Sequence, residues 1–269
     1  MPFVDLDGVR LHFEETGSGR PIVFLHGWGM SGRVWHFQRD FAEKNRLIFP
    51  DFRGHGQSAT ADEYTLEAYS ADLEKLLQRL DVHDAIVVGW SMGTQVALQS
   101  YSRVRSRVAA LVLVGVTPRF TIAPDYEHGK PQAEVKGLGL RLRRDYQRAM
   151  GDFFKGMFVP DEMPPEQYQR IVHQIIMGGH SPDREAVLKS LQILDTADLR
   201  ELLPEIGCPV LLVHGDSDTI CPASAAQYAA HRLPHGDLRL MHGCGHAPFM
   251  TRPEEFNEIL AEFLEGLGR

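Results

Sequence analysis

The chain has 269 residues, of which 43% are hydrophobic and 24% are charged, a composition typical of a soluble globular protein. Its 36 acidic and 28 basic residues give a net charge of -8, which argues against a nucleic-acid-binding protein because such proteins usually carry a basic footprint. No apolar run approaches a membrane span, and the first residues lack the basic and apolar stretches of a signal peptide, so we expect a cytoplasmic protein that does not bind membranes.

The first predicted elements are a hairpin and a series of buried strands. Residues 4–14 alternate around Asp7-Gly8, a dipeptide typical of hairpin turns. Short, fully apolar runs follow at residues 21–25, 47–49, 85–88, 109–114 and 209–213. Runs of this kind suit parallel strands that are covered on both faces. Helical patterns at 66–80 and 92–101 lie between them, and this alternation predicts an α/β fold with a mostly parallel sheet between layers of helices.

The alternation of strands and helices stops near residue 117 and resumes near residue 209. Patterns at 147–157 and 165–177 predict helices, and Ser181-Pro182 is typical of a helix start. An all-helical insertion in a parallel sheet is most simply a lid over the carboxyl edge, where ligands bind in such sheets. We therefore predict a core of residues 1–117 and 196–269 and a helical lid of residues 118–195.

A glycine–serine motif, Gly89-x-Ser91-x-Gly93, lies between a predicted buried strand and a predicted helix. A sharp strand-to-helix turn would lift the serine hydroxyl out of the sheet, and its strained backbone needs small neighbours. The following helix start would present backbone N–H groups to an oxyanion. The motif alone also fits an ordinary glycine-rich turn, but its context predicts Ser91 as a nucleophile.

A serine nucleophile needs a base to remove its proton and an acid to orient that base. His246 lies in a loop before the C-terminal helix. We favour it as the base because a serine motif of this kind requires the chain order serine, acid, histidine, with the histidine in a late loop. His242 is its rival. The acid is expected in the loop after residues 209–213, where both Asp216 and Asp218 qualify. The residues alone leave the two aspartates as alternatives.

The loop after the first buried strand, His26-Gly27-Trp28-Gly29, can place a backbone N–H opposite the serine turn. We predict the N–H groups of Trp28 and Met92 as the oxyanion donors. Trp28 and Trp90 either wall the acyl pocket or pack in the core, and the sequence leaves both interpretations open. The His26 ring is interpreted as structural.

In order along the chain, these segments resemble the α/β-hydrolase family of serine esterases over essentially the whole sequence. The resemblance rests on the loop at 26–29, the Asp51-x-Arg53-Gly54-x-Gly56-x-Ser58 loop, the serine motif, the acid loop and Gly245-His246. In that family the acid lies three residues after the glycine that closes its strand, which here is Gly215. The resemblance therefore implies Asp218 as the acid, and Ser91 disfavours the dehalogenases and epoxide hydrolases, which need an aspartate there.

Four segments, at 25–29, 89–93, 191–200 and 246–249, further resemble the pimeloyl-[acyl-carrier protein] methyl ester esterases of biotin synthesis. In that family a basic lid holds the acidic carrier protein, and aromatic lid residues contact the acyl chain. The resemblance implies substrate contacts by Trp28, Trp90, Met92, Phe153, Phe154, Met157 and His246, and carrier-protein contacts by Arg143, Arg144 and Arg148.

The charge of the predicted lid is opposite to that of the whole chain. Residues 136–155 contain six basic and two acidic side chains, although the chain has a net charge of -8. A local inversion of sign indicates an acidic partner that is attracted by electrostatic steering. A solvated helix face is the alternative interpretation.

The sequence therefore predicts hydrolysis of a carboxylic ester through an acyl-enzyme, and the resemblance implies the pimeloyl carrier-protein methyl ester as substrate. This chemistry needs no metal or organic cofactor. The three cysteines, Cys208, Cys221 and Cys244, show no spacing typical of a disulfide framework or a zinc site. The alternatives are a broad carboxylesterase, a carbon–carbon bond hydrolase or perhydrolase of the same fold, and, from another class, a hydrolase-fold receptor for a small ligand.

Overall fold

The computed structural model describes residues 3–268, and one sheet runs through them in the order β1-β2-β4-β3-β5-β6-β7-β8. The strands are β1 (Phe3–Leu6), β2 (Val9–Thr16), β3 (Arg20–Leu25), β4 (Asn45–Pro50), β5 (Ala85–Trp90), β6 (Val108–Val114), β7 (Val210–Gly215) and β8 (Gly236–Met241). β2 pairs antiparallel with β1 and β4, and the remaining pairs are parallel.

The observed strands lie where the apolar runs and the hairpin signal of the sequence predict them. β5 and β7 are buried at every position, as expected for strands with helices on both faces. Asp7 and Gly8 form the turn between β1 and β2 with φ values of 49° and 98°, the left-handed conformation that such tight turns require. The predicted mostly parallel α/β architecture is confirmed.

Helices cover both faces of the sheet. In chain order they are α1 (Leu66–Arg79), α2 (Met92–Val104), α3 (Gln132–Arg144), α4 (Tyr146–Lys155), α5 (Pro165–Arg170), α6 (Arg184–Thr196), α7 (Ala223–Arg232), α8 (Pro248–Thr251) and α9 (Pro253–Gly266). Apolar residues of α1, α2 and α7 pack on one face, while a 3-10 helix at Gly32–Glu43 packs with α8 and α9 on the other. Within residues 3–268, no helix combines the length and apolar character needed to span a membrane.

The segment between β6 and β7 contains α3 to α6 and a π-helix at Ile171–Ile176. We call residues 118–195 the helical insertion. The predicted helix start at Ser181-Pro182 is wrong. α6 begins two residues later, because Asp183 is its N-cap and its carboxylate accepts a hydrogen bond from the N–H of Ala186 at 2.9 Å, the bond that stabilises a first helical turn.

The carboxyl edge of the parallel strands gathers the residues that the sequence singles out. Ser91 follows β5, Asp218 lies in the loop after β7, and His246 lies in the loop after β8. Trp28 follows β3, which is the neighbour of β5 in the sheet. Because the ends of parallel strands meet at one edge, residues that are far apart in sequence converge there.

Candidate active site

Ser91 occupies a strained turn between β5 and α2, with φ 54° and ψ −116°. A β-carbon at Gly89 would lie 2.5 Å from the carbonyl oxygen of Gly93, and one at Gly93 would lie 2.5 Å from the carbonyl oxygen of Leu25. Both distances are clashes with backbone. The motif therefore needs its two glycines for space, and the turn projects the serine beyond the sheet edge.

Hydrogen bonds hold the backbone of this turn on both sides. The N–H of Ser91 donates to the carbonyl of Val114 at the end of β6, at 2.9 Å. The carbonyl of Ser91 accepts from the N–H of Thr94 at 2.9 Å and from its hydroxyl at 2.6 Å. Fixed contacts of this kind allow a strained conformation to persist in a folded protein.

Asp218 and His246 form a buried pair beside the turn. His246 Nδ1 donates to Asp218 Oδ2 at 2.7 Å, and the two residues are 1% and 7% exposed, respectively. The second carboxylate oxygen accepts from the N–H groups of Ile220 at 2.8 Å and Cys221 at 2.9 Å. The carboxylate is therefore held in place, and it fixes the imidazole with its other nitrogen, Nε2, available.

The pKa of Asp218 lies below the ordinary value of an aspartate. Burial alone would raise that pKa, but the charge of His246 and the hydrogen bonds from His214 and His246 outweigh it. His214 Nε2 lies 3.3 Å from Asp218 Oδ2. An ionised carboxylate at this position is suited to stabilise an imidazolium on His246.

The Nε2 atom of His246 is buried and has no hydrogen-bond partner within residues 3–268, so the structure contains no hydrogen bond from it to the Ser91 hydroxyl. The ring nevertheless lies beside the turn. A β-carbon on Gly115, which follows the strand residue bonded to Ser91, would be 3.1 Å from His246 Cε1. Without substrate, such hydrogen bonds are often long and tighten only in a complex.

Cys221 lies beside Asp218 and His246, and together the three form a cluster of potential metal ligands. One potential ligand atom each of Asp218, Cys221 and His246 lies within 4.8 Å of the others. Burial, followed by the charge of Asp218, raises the pKa of the Cys221 thiol well above its ordinary value, while the neighbouring Ser91 hydroxyl acts to lower it. A metal would bind the Cys221 thiolate, which the raised pKa disfavours, and the Asp218 carboxylate already accepts several hydrogen bonds. The cluster is therefore better suited to proton transfer than to metal binding.

The rival pair, Asp216 and His242, also forms. His242 Nδ1 lies 2.8 Å from Asp216 Oδ2, but the two side chains are 89% and 32% exposed, respectively. The other oxygen of Asp216 accepts from the N–H of Gly243 at 2.8 Å. This pair connects the two loops at the surface.

The loop at 26–29 packs directly against the start of α2. The carbonyl oxygen of His26 would lie 2.8 Å from a β-carbon on Gly93, so the predicted donors Trp28 and Met92 belong to neighbouring backbone segments. The His26 ring bonds the carbonyl of the next residue at 2.8 Å and accepts from the N–H of Phe52 at 2.9 Å. Burial lowers the pKa of His26 to about 3, which keeps this structural ring neutral.

A cavity of about 210 Å³ opens at Ser91. Its walls come mainly from α3, α4 and α6 and from the loop after β7, through Phe120, Lys130, Glu134, Val135, Leu138, Arg141, Ala149, Asp152, Phe153, Gly156, Leu191, Leu194, Thr219 and Ile220. Of the predicted lid contacts, Phe153 lines this cavity. Sequence reasoning missed the apolar pairs at 135/138 and 191/194, although three-residue spacing is the signal of a buried helix face.

The other predicted substrate contacts are not among the residues that line this cavity. Phe154 lines a second cavity, of about 440 Å³, on the other side of α4. Trp28 is buried behind Phe153, with ring centroids 4.8 Å apart. Trp90 is fully buried and packs against Phe249 in the core. Met92 and Met157 are also buried.

The basic face of the insertion adjoins the serine cavity. Arg141, Arg144 and Arg148, together with Asp145, Ala149 and Asp152, line a surface depression of about 330 Å³. It shares Arg141, Ala149 and Asp152 with the cavity. All six basic side chains of residues 136–155 are exposed, and none of them forms a salt bridge within residues 3–268: Lys136, Arg141, Arg143, Arg144, Arg148 and Lys155. Elsewhere in the insertion, Lys130 pairs with Glu134 at 3.0 Å and Lys189 with Glu185 at 2.8 Å, whereas Arg170 and Arg184 form no salt bridge among the described residues. The unpaired face thus carries a positive charge that is available to a partner.

Comparison with known proteins agrees with this fold. A family model described as the alpha/beta hydrolase fold matches residues 20–253. A pimeloyl-[acyl-carrier protein] methyl ester esterase from Nitrosomonas europaea is 34% identical over 247 residues, which cover 91% of this chain and 96% of that protein. Proteins of the same name from Nitrosospira multiformis and Yersinia enterocolitica are 30% and 31% identical, each over 95% of this chain and 98% of its own length.

Solved structures show the same architecture. An esterase from Exiguobacterium antarcticum superposes with a TM-score of 0.91 at 28% identity and covers 98% of this chain and 99% of its own. A bromoperoxidase from Bacillus anthracis superposes with a TM-score of 0.88 at 28% identity and covers 96% of each chain.

Proposed function

The chain belongs to the α/β-hydrolase fold family and is an esterase of the serine-hydrolase type, and we propose that Ser91, His246 and Asp218 carry its reaction. The observation that carries this proposal is the buried Asp218–His246 hydrogen bond of 2.7 Å beside a strained serine turn. His246 Nε2, the nitrogen that a base must present to a serine hydroxyl, has no hydrogen-bond partner among residues 3–268.

The proposed reaction has two halves. His246 accepts the proton of Ser91 as the hydroxyl oxygen attacks the ester carbonyl, and the N–H groups of Trp28 and Met92 bind the oxyanion. His246 then donates that proton to the departing alkoxide, which leaves as an alcohol. Water, deprotonated by His246, then attacks the acyl-enzyme, and His246 returns that proton to the Ser91 oxygen as its bond to the acyl carbon breaks, which releases the acid and free Ser91.

We further propose that the substrate is a methyl ester on an acyl chain carried by acyl carrier protein, with methanol as the leaving alcohol. Relatives with this activity in their name match more than nine-tenths of the chain. The support from this molecule is the unpaired basic face, which shares Arg141 with the serine cavity. A carrier protein bound there would present its acyl chain at the cavity, and opposite charges would steer the encounter.

The helical insertion is proposed to act as a lid, with residues 1–117 and 196–269 as the core. Helices α3, α4 and α6 supply most of the walls of the serine cavity. A structural element that both forms the pocket and carries the basic face can couple recognition of the carrier to placement of the acyl chain.

Charge reversal of the basic face tests the proposed substrate. Replacing Arg143, Arg144 and Arg148 by Glu should lower kcat/KM for a carrier-protein-linked methyl ester by about tenfold or more at low salt, because steering and contact charges are lost. Turnover of p-nitrophenyl butyrate should stay within about twofold, since the cavity is unchanged. The difference between the two substrates should shrink as salt is added.

A matched triple variant controls for net charge. Lys44, Arg79 and Arg105 are exposed and lie outside the insertion, so their replacement by Glu should leave both substrates at wild-type rates. Equal losses in the two triple variants, or equal losses on both substrates, would contradict a carrier-binding role. In that case the broad carboxylesterase would be the better assignment.

A further inference from the structure

Glu162 is a buried carboxyl group that the proposed reaction does not use. It lies in the insertion between α4 and α5 and is 8% exposed. Its Oε1 accepts from the N–H of Gly245 at 2.9 Å and from the hydroxyl of Thr251 at 2.6 Å. Its Oε2 accepts from the N–H of Val159 at 3.0 Å. A buried glutamate that accepts only from neutral donors is unusual, because burial of a carboxyl group is costly.

Two residues that donate hydrogen bonds to Glu162 lie on either side of His246 in the sequence. Gly245 directly precedes the histidine, and Thr251 ends the short helix α8 that follows it. One carboxyl oxygen therefore holds both ends of the seven-residue segment 245–251. These contacts span 83 and 89 residues of sequence, so they join the insertion to the loop of the core that carries His246.

The backbone of His246 is fixed by two further contacts. Its N–H donates to the carbonyl of Met157, another residue of the insertion, at 2.8 Å. Its carbonyl accepts from the indole N–H of Trp90 at 2.8 Å. A β-carbon at Gly245 would clash with the Met157 carbonyl, so the loop and the insertion are in direct backbone contact at this point.

We propose that Glu162 is a positioning residue for His246: it binds the loop on both sides of the histidine and keeps the imidazole in reach of Ser91. This inference rests on the proposed role of His246 as the base. The imidazole must accept a proton from Ser91 while it stays hydrogen-bonded to Asp218, so it tolerates little displacement. A misplacement of about 1 Å can cost on the order of 10²-fold in rate. The insertion thereby helps to hold the base as well as the substrate.

Substitution of Glu162 tests this proposal on p-nitrophenyl butyrate, a substrate that needs no carrier protein. Glu162→Ala should lower kcat by about 10²-fold and leave KM within about threefold, because the base is displaced while the pocket is retained. Glu162→Gln should restore part of kcat, since its amide oxygen can take the place of Oε1 for Gly245 and Thr251, whereas its NH2 group cannot accept from the N–H of Val159 as Oε2 does. Glu166→Ala, an exposed glutamate nearby in the insertion, is the matched control and should behave as wild type.

A spectroscopic readout separates positioning from general destabilisation. The proton between His246 Nδ1 and Asp218 gives a far-downfield signal in proton NMR, assigned by its loss in Asp218→Asn. This signal should shift or broaden in Glu162→Ala and remain in Glu162→Gln and Glu166→Ala. Circular dichroism would show whether each variant is folded. If Glu162→Ala does not fold, Thr251→Val removes one of the two loop contacts and should lower kcat by about three- to tenfold.

Several results would overturn the proposal. These are a folded Glu162→Ala variant with wild-type kcat and an unchanged downfield signal, a loss confined to KM, or a Glu162→Gln variant as impaired as Glu162→Ala. If Glu162→Ala does not fold, wild-type kcat in Thr251→Val has the same meaning. A separate variant tests the premise: if His246→Ala turns over the ester at the wild-type rate, the proposed base is wrong, whatever Glu162 does.

Discussion

Two aspartate–histidine pairs lie close together where β7 and β8 end, and they differ mainly in their surroundings. The Nδ1–Oδ2 distance is 2.7 Å in Asp218–His246 and 2.8 Å in Asp216–His242. The side chains of the first pair are 0% and 1% exposed, whereas those of the second are 32% and 89% exposed. Both pairs join the same two loops.

The difference shows that a hydrogen bond of good length does not by itself make a catalytic pair. An exposed pair is screened by water and contributes little free energy. The buried pair lies next to Ser91, its carboxylate is held by two backbone N–H groups, and its electrostatic interaction is stronger in the low-dielectric interior. The proposed triad role of Asp218 and His246 therefore rests on their burial and position rather than on the length of their hydrogen bond.

The largest expected contrast is between the two histidines. His246→Ala should lower kcat for p-nitrophenyl butyrate by about 10⁴-fold or more, because Ser91 loses its base. His242→Ala should stay within about twofold of wild type. Steady-state kinetics on both purified variants measures the contrast, and comparable losses would remove the distinction between the pairs.

A smaller contrast is expected between the two aspartates. Asp218→Asn should lower kcat by about 10³-fold or more, since an amide can favour the wrong tautomer of His246 and cannot stabilise its charged form. Asp216→Asn should have an effect of less than about threefold, limited to the surface link between the loops. The reverse ranking would transfer the role of the acid to Asp216.

The smallest expected effect concerns stability against pH, through the buried ring of His26. The pKa of His26 is lowered to about 3 from an ordinary 6.5, so below pH 6.5 the unfolded chain binds a proton that the folded chain does not. Stability should therefore fall with pH, and His26 should contribute about 2 kcal/mol of that loss between pH 6.5 and pH 5.

Urea unfolding at several pH values measures this effect. His26→Gln should make the curve of unfolding free energy against pH flatter over that interval, although the variant is less stable at pH 7. Parallel curves for wild type and His26→Gln would show that His26 does not titrate differently on unfolding.

The sequence predicts the local elements of the fold but not the choice between the two aspartates, and the reason is physical. The strands, the serine turn and the order of the loops follow from local patterns, because buried parallel strands need apolar runs and the turn needs Gly89 and Gly93. The choice between Asp216 and Asp218 depends on burial by His214 and Cys221, which no local pattern specifies. The family resemblance supplied the choice that the residues alone left open.

The insertion shows where local patterns do not suffice. The sequence predicts the start of α6 two residues too early, because Ser181-Pro182 and Asp183 both satisfy the signals for a helix start and only Asp183 makes the capping bond. The cavity is assembled from several helices, so its lining depends on how they pack together. Glu162 belongs to no motif, and its role depends entirely on contacts with residues more than 80 positions away.

Covalent labelling tests the central claim, that Ser91 is a nucleophile activated by His246, most directly. A fluorophosphonate should modify the protein stoichiometrically, and peptide mass spectrometry should place the adduct on Ser91. Labelling should be absent in Ser91→Ala and slowed by orders of magnitude in His246→Ala, with both variants folded. An adduct on another residue, or labelling of Ser91→Ala at the wild-type rate, would contradict the proposed nucleophile.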